Sequence, residues 1–358
     1  MNPYIEINNR RIGPGCPCYI VAEMSANHNQ DYDEAVKIVE AAAAAGADAV
    51  KLQTYTPDTL TIDCDREHFQ IGEGTIWQGQ NLYRLYSQAY TPWKWQPELK
   101  KVADRLGLDL FSTPFDATAV DFLEEMAVPA HKIASFEIVD LPLIRRVAET
   151  GKPIILSTGM ATLAEIEEAA GVIGDAGNQQ LALLKCTSSY PAKPDHMNLT
   201  TIGHLSRTFK VPVGLSDHTL DIAVPVTAVA LGASIVEKHF TLSRSAAGPD
   251  SEFSLQPDEF KAMVKAVRTA EKAIGDIHYG GSEQETRSRV FRRSLFVVQD
   301  MKAGERFDNT NIRSIRPGYG LHTRHLPDIL GRHATDDIER GTPLKWDLVG
   351  GISAQDEE

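Results

Sequence analysis

The chain has 358 residues, 42% of them hydrophobic and 24% charged, the composition of a globular protein with a sizeable core, which excludes disorder as its main state. Its 36 lysines and arginines face 49 aspartates and glutamates, a formal net charge of −13, and so acidic a body disfavours nucleic acid or an anionic membrane as partner. No stretch approaches the roughly 18 uninterrupted apolar residues of a membrane span, and the opening MNPYIEINNRRIGPG lacks an apolar signal core, so a cytoplasmic protein is expected.

Four cysteines, Cys16, Cys18, Cys64 and Cys186, are too few for a disulfide framework. Cys16 and Cys18 have the spacing of alternate strand residues, which predicts a buried pair of thiols on one face rather than a metal or redox site.

From residue 18 to about 275 short β-branched runs alternate with amphipathic helical stretches, the pattern of a parallel sheet with crossover helices. Strands are expected at 18–25, 49–55, 108–115, 130–137, 153–160, 181–191, 211–219 and 234–241. Helical patterns lie between them, and several close at glycine, as in DEAVKIVEAAAAAG. Eight strand–helix units in about 250 residues fit a (β/α)8 TIM barrel. A doubly wound open sheet would carry a GxGxxG turn after an early strand, and the chain has none.

The second and third strands are separated by an aromatic-rich insertion, CDREHFQIGEGTIWQGQNLYRLYSQAYTPWKW. An insertion after a barrel strand lies on the catalytic face, so it is either a substrate-contacting segment or a packed surface excursion. A barrel domain over 1–275 is followed by a polar, glycine-bearing linker at 276–292 and a small β-rich domain at 293–353. Within the latter, DMKAGERFDNTNI at 300–312 repeats weakly as DIERGTPLKWDLV at 337–349. Two related β-turn units folding on each other would explain the repeat. So thin a domain is expected to dock onto something larger.

In a TIM barrel the polar residues at strand C-termini converge on one mouth. Here they are Glu23; Lys51 and Gln53; Thr113; Lys132 and Ser135; Ser157; Lys185 and Ser188; Ser216 and His218; Glu237 and His239. Unpaired charges in buried strands are costly, so a polar ring repeated around the barrel points to function. His218 and His239 end adjacent strands and together could hold a divalent metal of the manganese or magnesium kind, its other positions filled by ligand. Glu237 faces the same way as His239, either supporting the metal site or acting as acid or base. Lys51, Lys132, Thr113, Ser135, Ser157 and Ser216 form a cradle of ammonium and hydroxyl donors for a phosphate and a carboxylate.

The motifs AEMSANHNQ, VKLQTYTPDTLT, FSTPFD, KIASFE, STGMAT, LLKCTSSYP, GLSDHT and EKHFTL, in this order, resemble the sialic acid synthase family, which condenses phosphoenolpyruvate with an amino-sugar. The tail resembles the antifreeze-protein-like (SAF) domain that follows the barrel in that family. QTYTPDTLT, LYRLYSQAYTPWKW, IRSIRPGYGLH and DIERGTPLKWDL are most similar to the pseudaminic acid branch rather than the N-acetylneuraminate or legionaminate branches. The resemblance implies His218 and His239 as metal ligands, and Lys51, Thr113, Lys132, Ser135, Ser157 and Ser216 as phosphoenolpyruvate contacts. It implies Glu23, Gln53, Tyr190 and Asp250 on the sugar side, with Glu23 handling the water or a proton. Where the family carries asparagine in a CTN motif this chain has Ser188, a change that fits a different sugar. The family's small domain reaches over the barrel of a partner subunit, which implies a domain-swapped homodimer with Arg316 on the sugar's acyl group. The expected substrates are phosphoenolpyruvate and a diacetamido-trideoxyhexose. Two rival readings are a Schiff-base aldolase using a barrel lysine and a non-catalytic sugar-binding barrel.

Overall fold

A computed structural model describes residues 2–72, 76–246 and 248–351; residues 73–75 of the insertion and 352–353 of the expected second domain lie outside the described residues. The chain divides into two compact units, Met1–Gly275 and Asp276–Glu358.

The first unit opens with an antiparallel hairpin of β1 (Ile5–Ile7) and β2 (Arg10–Ile12). Eight parallel strands follow: β3 (Tyr19–Glu23), β4 (Ala49–Thr54), β5 (Asp109–Pro114), β6 (His131–Ile133), β7 (Ile154–Ser157), β8 (Leu181–Cys186), β9 (Val213–Asp217) and β10 (Ile235–His239). They pair in chain order, and β10 returns to β3 to close the barrel. Each segment read as a strand contains one, and the open sheet is excluded. The intervening helices carry the expected punctuation. The helix Tyr32–Ala45, for example, starts on Asp31, whose side chain accepts the Glu34 N–H, and stops at Gly46 with φ of 90°.

Successive strand residues point to opposite faces, and the barrel sorts them cleanly. Tyr19, Val21, Ala49, Phe111, Ile155, Ala182, Leu184 and Ile235 form one buried cluster with Ile5, Ile7 and Ile12 of the hairpin, so this set fills the barrel and the hairpin plugs its N-terminal end. Their neighbours Ile20, Ala22, Val50, Leu52, Leu110, Ile154, Leu156 and Leu183 pack with the helices in a second cluster. The plug is tied by Asn8, whose Nδ2 donates to Asp109 Oδ1 at 2.5 Å, while the Tyr19 hydroxyl donates to Asp109 Oδ2 at 2.6 Å.

One expectation is corrected. Cys16 and Cys18 both precede β3; Cys18 is buried, Cys16 only half-buried, and both are free thiols. Pro17 between them has no N–H for a strand ladder. The Cys18 N–H and carbonyl instead bond to Glu271 Oε1 (2.5 Å) and Arg268 Nη1 (2.7 Å).

In the second unit, a short helix Glu283–Arg287 lies in the segment read as a linker, and β11 (Ser294–Val297) pairs antiparallel with β12 (Ile312–Ile315). The 37-residue repeat is a structural pseudo-symmetry. The Ala303 N–H donates to Asp337 Oδ1 (2.9 Å) and the Arg340 N–H to Asp300 Oδ1 (2.7 Å). The Gly304 N–H meets the Ala334 carbonyl and the Gly341 N–H the Val297 carbonyl, both at 2.8 Å. Both glycines sit at positive φ, 82° and 92°, which the turn requires. Among the described residues no helix is long and apolar enough to cross a membrane.

Candidate active site

The alternation that fills the barrel with apolar side chains turns polar at the strand C-termini. Continuing the interior positions leads from Tyr19 and Val21 to Glu23, from Ala49 to Lys51 and Gln53, from Ile155 to Ser157, and from Ile235 to Glu237 and His239. These residues line a cavity of about 400 Å³ together with Lys132, Ser135, Ser188, Tyr190, Ser216, His218 and Asp250. Gly159 lets the backbone close in beside them: a Cβ there would lie 2.4 Å from Ser135 Cβ and 2.8 Å from Ser188 Oγ.

The charged groups form one buried network. Lys51 Nζ lies 2.9 Å from Glu23 Oε2 and 3.4 Å from Glu237 Oε1. Lys132 Nζ is 4.0 Å from the same Glu237 oxygen and donates to Ser157 Oγ at 2.7 Å. Gln53 Nε2 donates to Glu23 Oε1 (2.9 Å) and Ser25 Oγ (2.8 Å), and Ser25 in turn donates to Asp250. The two carboxyls are pushed apart. Burial raises Glu23 above its ordinary range despite Lys51, and Glu237 adds to the rise. Burial also raises Glu237, but Lys132 and Lys51 together outweigh it, leaving that carboxyl below its ordinary range. Environments that separate two neighbouring carboxyls in this way make the first the readier proton carrier and the second the more persistent anion. Burial pulls Lys132 down, whereas Lys51, between two carboxylates, is held up against the same burial.

His218 and His239 end β9 and β10 with ring centroids 5.4 Å apart. His218 Nδ1 donates to the Thr187 carbonyl at 2.9 Å; burial pulls this imidazole down, but the Cys186 thiol and the Thr187 carbonyl hold it above its ordinary range. His239 Nδ1 is buried with no protein partner, and burial, then the charge of His218, keeps this ring neutral as a metal ligand must be. No group of three or more His, Cys, Asp or Glu among the described residues can enclose an ion. The unpartnered nitrogen of His239 beside the His218 ring fits a metal whose other positions are taken by water or substrate oxygen, its binding displacing any proton on His218. Outside the barrel wall, Lys238 Nζ meets Asp217 Oδ2 at 2.5 Å, both side chains fully buried, and ties together the strand ends that carry the two imidazoles.

Two expected residues of the barrel unit do not line this cavity. Thr113 is level with Gln53 on the neighbouring strand, fully buried, its hydroxyl without a partner, and does not line the space. Lys185 is a correction: with Ala182 and Leu184 interior, alternation puts Cys186 inside and Lys185 outside. Its ammonium donates to the Cys186 carbonyl (2.6 Å) and Thr187 Oγ1 (3.2 Å). Arg316 directly follows β12 in the second unit.

Other lining residues escaped the sequence reading. Cys186 faces the cavity, where burial raises its thiol but His218 and Lys132 bring it below its ordinary range. Counting alternate positions along LALLKC would have found it. Glu137 also lines the cavity; burial pushes its carboxyl up to about 7, and nothing in KIASFEIVD separates it from a surface glutamate. Trp77 of the insertion donates its indole N–H to the Pro249 carbonyl at 3.0 Å and packs against Tyr190 and Phe253. The insertion is thus part of the site wall.

Residues 38–279 match the NeuB family and residues 292–350 the SAF domain. The pseudaminic acid synthase of Campylobacter jejuni (serotype O:23/36) is 46% identical, covering 91% of this chain and 95% of its own. The N,N'-diacetyllegionaminic acid synthase of Legionella pneumophila is 35% identical over 96% of this chain and 99% of its own. Among solved structures, the N-acetylneuraminic acid synthetase of Leptospira borgpetersenii superposes with a TM-score of 0.71 at 32% identity, over 80% of this chain and 95% of that one. With its closed barrel, its polar mouth and these matches, the chain belongs to the NeuB family of sialic acid synthases.

Proposed function

We propose that this chain condenses phosphoenolpyruvate with the open-chain form of 2,4-diacetamido-2,4,6-trideoxy-L-altrose, giving pseudaminic acid and inorganic phosphate. The observation that carries the reading is the gathering of two buried ammonium groups, opposed carboxyls, serine hydroxyls and an imidazole pair in one cavity, in a chain 46% identical to a pseudaminic acid synthase. Carbon 3 of phosphoenolpyruvate bonds to the aldehyde carbon, whose oxygen takes a proton. Water adds at carbon 2, and the bond from that carbon to the phosphate oxygen breaks.

Lys51 and Lys132, with Ser135, Ser157 and Ser216, bind the carboxylate and phosphate and stabilise the charge as it shifts. Thr113, beside Gln53, supports that cradle. Glu23, whose carboxyl burial raises above its ordinary range, supplies the proton or handles the water. Glu237 stays ionised and balances the lysines between substrate visits. Gln53, Tyr190, Asp250 and Ser188 orient the sugar. His218 and His239 would hold a divalent metal, manganese or magnesium, which when bound supplies Lewis acidity toward the aldehyde oxygen.

We also propose a homodimer in which Arg316 serves the sugar end of the partner's barrel. Mixing Arg316→Ala with His218→Ala should restore activity in heterodimers; no restoration assigns Arg316 to its own subunit. The central test incubates the protein with phosphoenolpyruvate, manganese and a panel of amino-sugars, following phosphate release and product mass. Release with the L-altrose derivative is expected. Release only with another sugar reassigns the product, and a borohydride-trapped pyruvate adduct on Lys51 or Lys132 overturns the mechanism.

A further inference from the structure

The insertion after β4 contains the helix Leu82–Ala89, and four of its residues, Leu82, Leu85, Tyr86 and Ala89, line the cavity. Their spacing, i, i+3, i+4 and i+7, is one helical face. An apolar face normally packs on a core, yet none of the four belongs to either apolar cluster of the barrel unit. Leu85 is nevertheless buried, 8% exposed. Arg84, Ser87 and Gln88 on the other side are exposed.

The helix is held firmly. Asn81 Oδ1 accepts the Tyr83 and Arg84 N–H groups at 3.0 and 3.3 Å, and Asn81 Nδ2 donates to the Cys64 carbonyl at 2.9 Å. Tyr86 packs edge-on against Tyr55 just beyond β4, ring centroids 5.7 Å apart. The cavity is therefore two-sided: ammonium, carboxyl and hydroxyl groups at the strand ends, and a wall contributed by the insertion in which three aliphatic side chains flank the Tyr86 ring.

We infer that this wall is the specificity surface for the methyl-bearing end of the sugar, an inference that rests on the function proposed above. An open-chain hexose whose aldehyde meets phosphoenolpyruvate at the charged strand ends must carry carbon 6 away from them. In a 6-deoxy sugar that carbon is a methyl group, and Leu82, Leu85 and Ala89 bury it. A 6-hydroxyl would lose its water there, since these three side chains offer no hydrogen-bond partner. The wall thus selects 6-deoxy hexoses over 6-hydroxylated ones.

The test compares kcat/KM for the trideoxy sugar with that for its 6-hydroxy counterpart, in wild type, Leu82→Asn and Leu82→Met, with calorimetric affinity for both sugars read alongside. The asparagine variant should lower the preference for the deoxy sugar by roughly tenfold or more. The methionine variant should keep it, and KM for phosphoenolpyruvate should not move in either. An equal loss on both sugars, or an unchanged ratio in a folded Leu82→Asn protein, overturns the inference; should that variant not fold, Ala89→Ser reads the same ratio. Absence of phosphate release from wild type with every sugar overturns the proposed function instead. The calorimetric ratio still judges the wall, and equal affinity for the two sugars rejects it.

Discussion

Lys51 with Glu23 in the barrel unit and Lys302 with Asp337 in the second unit are the same kind of ion pair, at 2.9 and 2.7 Å, in opposite surroundings. The first pair's side chains are 6% and 0% exposed and the second's 83% and 59%. Water screens the outer pair, so its contribution is small. The inner pair has given up hydration and exists only because its members, with Glu237 and Lys132, compensate one another. The barrel therefore accepts a costly arrangement at the site of its chemistry, while the second unit uses polar contacts to staple a repeated turn. Charge counts agree: the first 275 residues hold 24 basic and 35 acidic residues, the remainder 12 and 14. The acidity belongs mostly to the barrel unit, whose interior nonetheless gathers cations at one mouth.

Five substitutions sharpen this contrast, in descending order of effect. His218→Ala or His239→Ala should reduce phosphate release to background and lower bound manganese, with thermal unfolding close to wild type; near-normal turnover would remove the metal assignment. Lys51→Met should leave Glu23 and Glu237 facing each other without their shared cation. A stability loss of about 3–5 kcal/mol in urea unfolding is expected, towards the lower end because Glu23, already raised by burial, can take up a proton.

Glu137 gives a pH test. Its folded carboxyl titrates at about 7 against an ordinary 4.5, so between those values the folded state holds a proton that the unfolded state has released. Stability must then fall as pH rises through that window and level off above it, by on the order of 3 kcal/mol in all. Glu137→Gln should flatten this slope in denaturant titrations at stepped pH; an identical slope in both proteins would mean Glu137 is not held protonated. Last, Lys302→Ala should leave both Tm and phosphate release unchanged, and a clear fall in Tm would show that the outer pair does more than decorate the turn.

The order of elements was legible from the chain alone, because β-branched runs and helical periodicity repeat eight times and a parallel barrel is the economical way to bury them. Most of the polar mouth followed, since the strand ends in AVKLQTY, GLSDHT and EKHFT carry charged or imidazole groups where buried strands normally end apolar. The 37-residue repeat was equally visible, although its meaning, reciprocal hydrogen bonds between Asp300, Asp337 and the opposite turns, required the fold.

What the tertiary structure alone decided is which way each side chain faces and what meets it across space. Lys185 and Cys186 are neighbours in sequence, and only the interior set of β8 assigns the thiol to the cavity and the ammonium to the outside. Cys16 needed the course of the chain past Pro17 to be removed from the strand. Glu137 is one glutamate among many until burial raises its carboxyl, and the apolar face at Leu82, Leu85 and Ala89 reads as ordinary helix until the cavity is found in front of it. Residue type and local period are written along the chain, but burial and charge compensation arise between segments far apart in sequence, so the sequence determined the barrel and its polar residues, and packing decided which of them share one cavity.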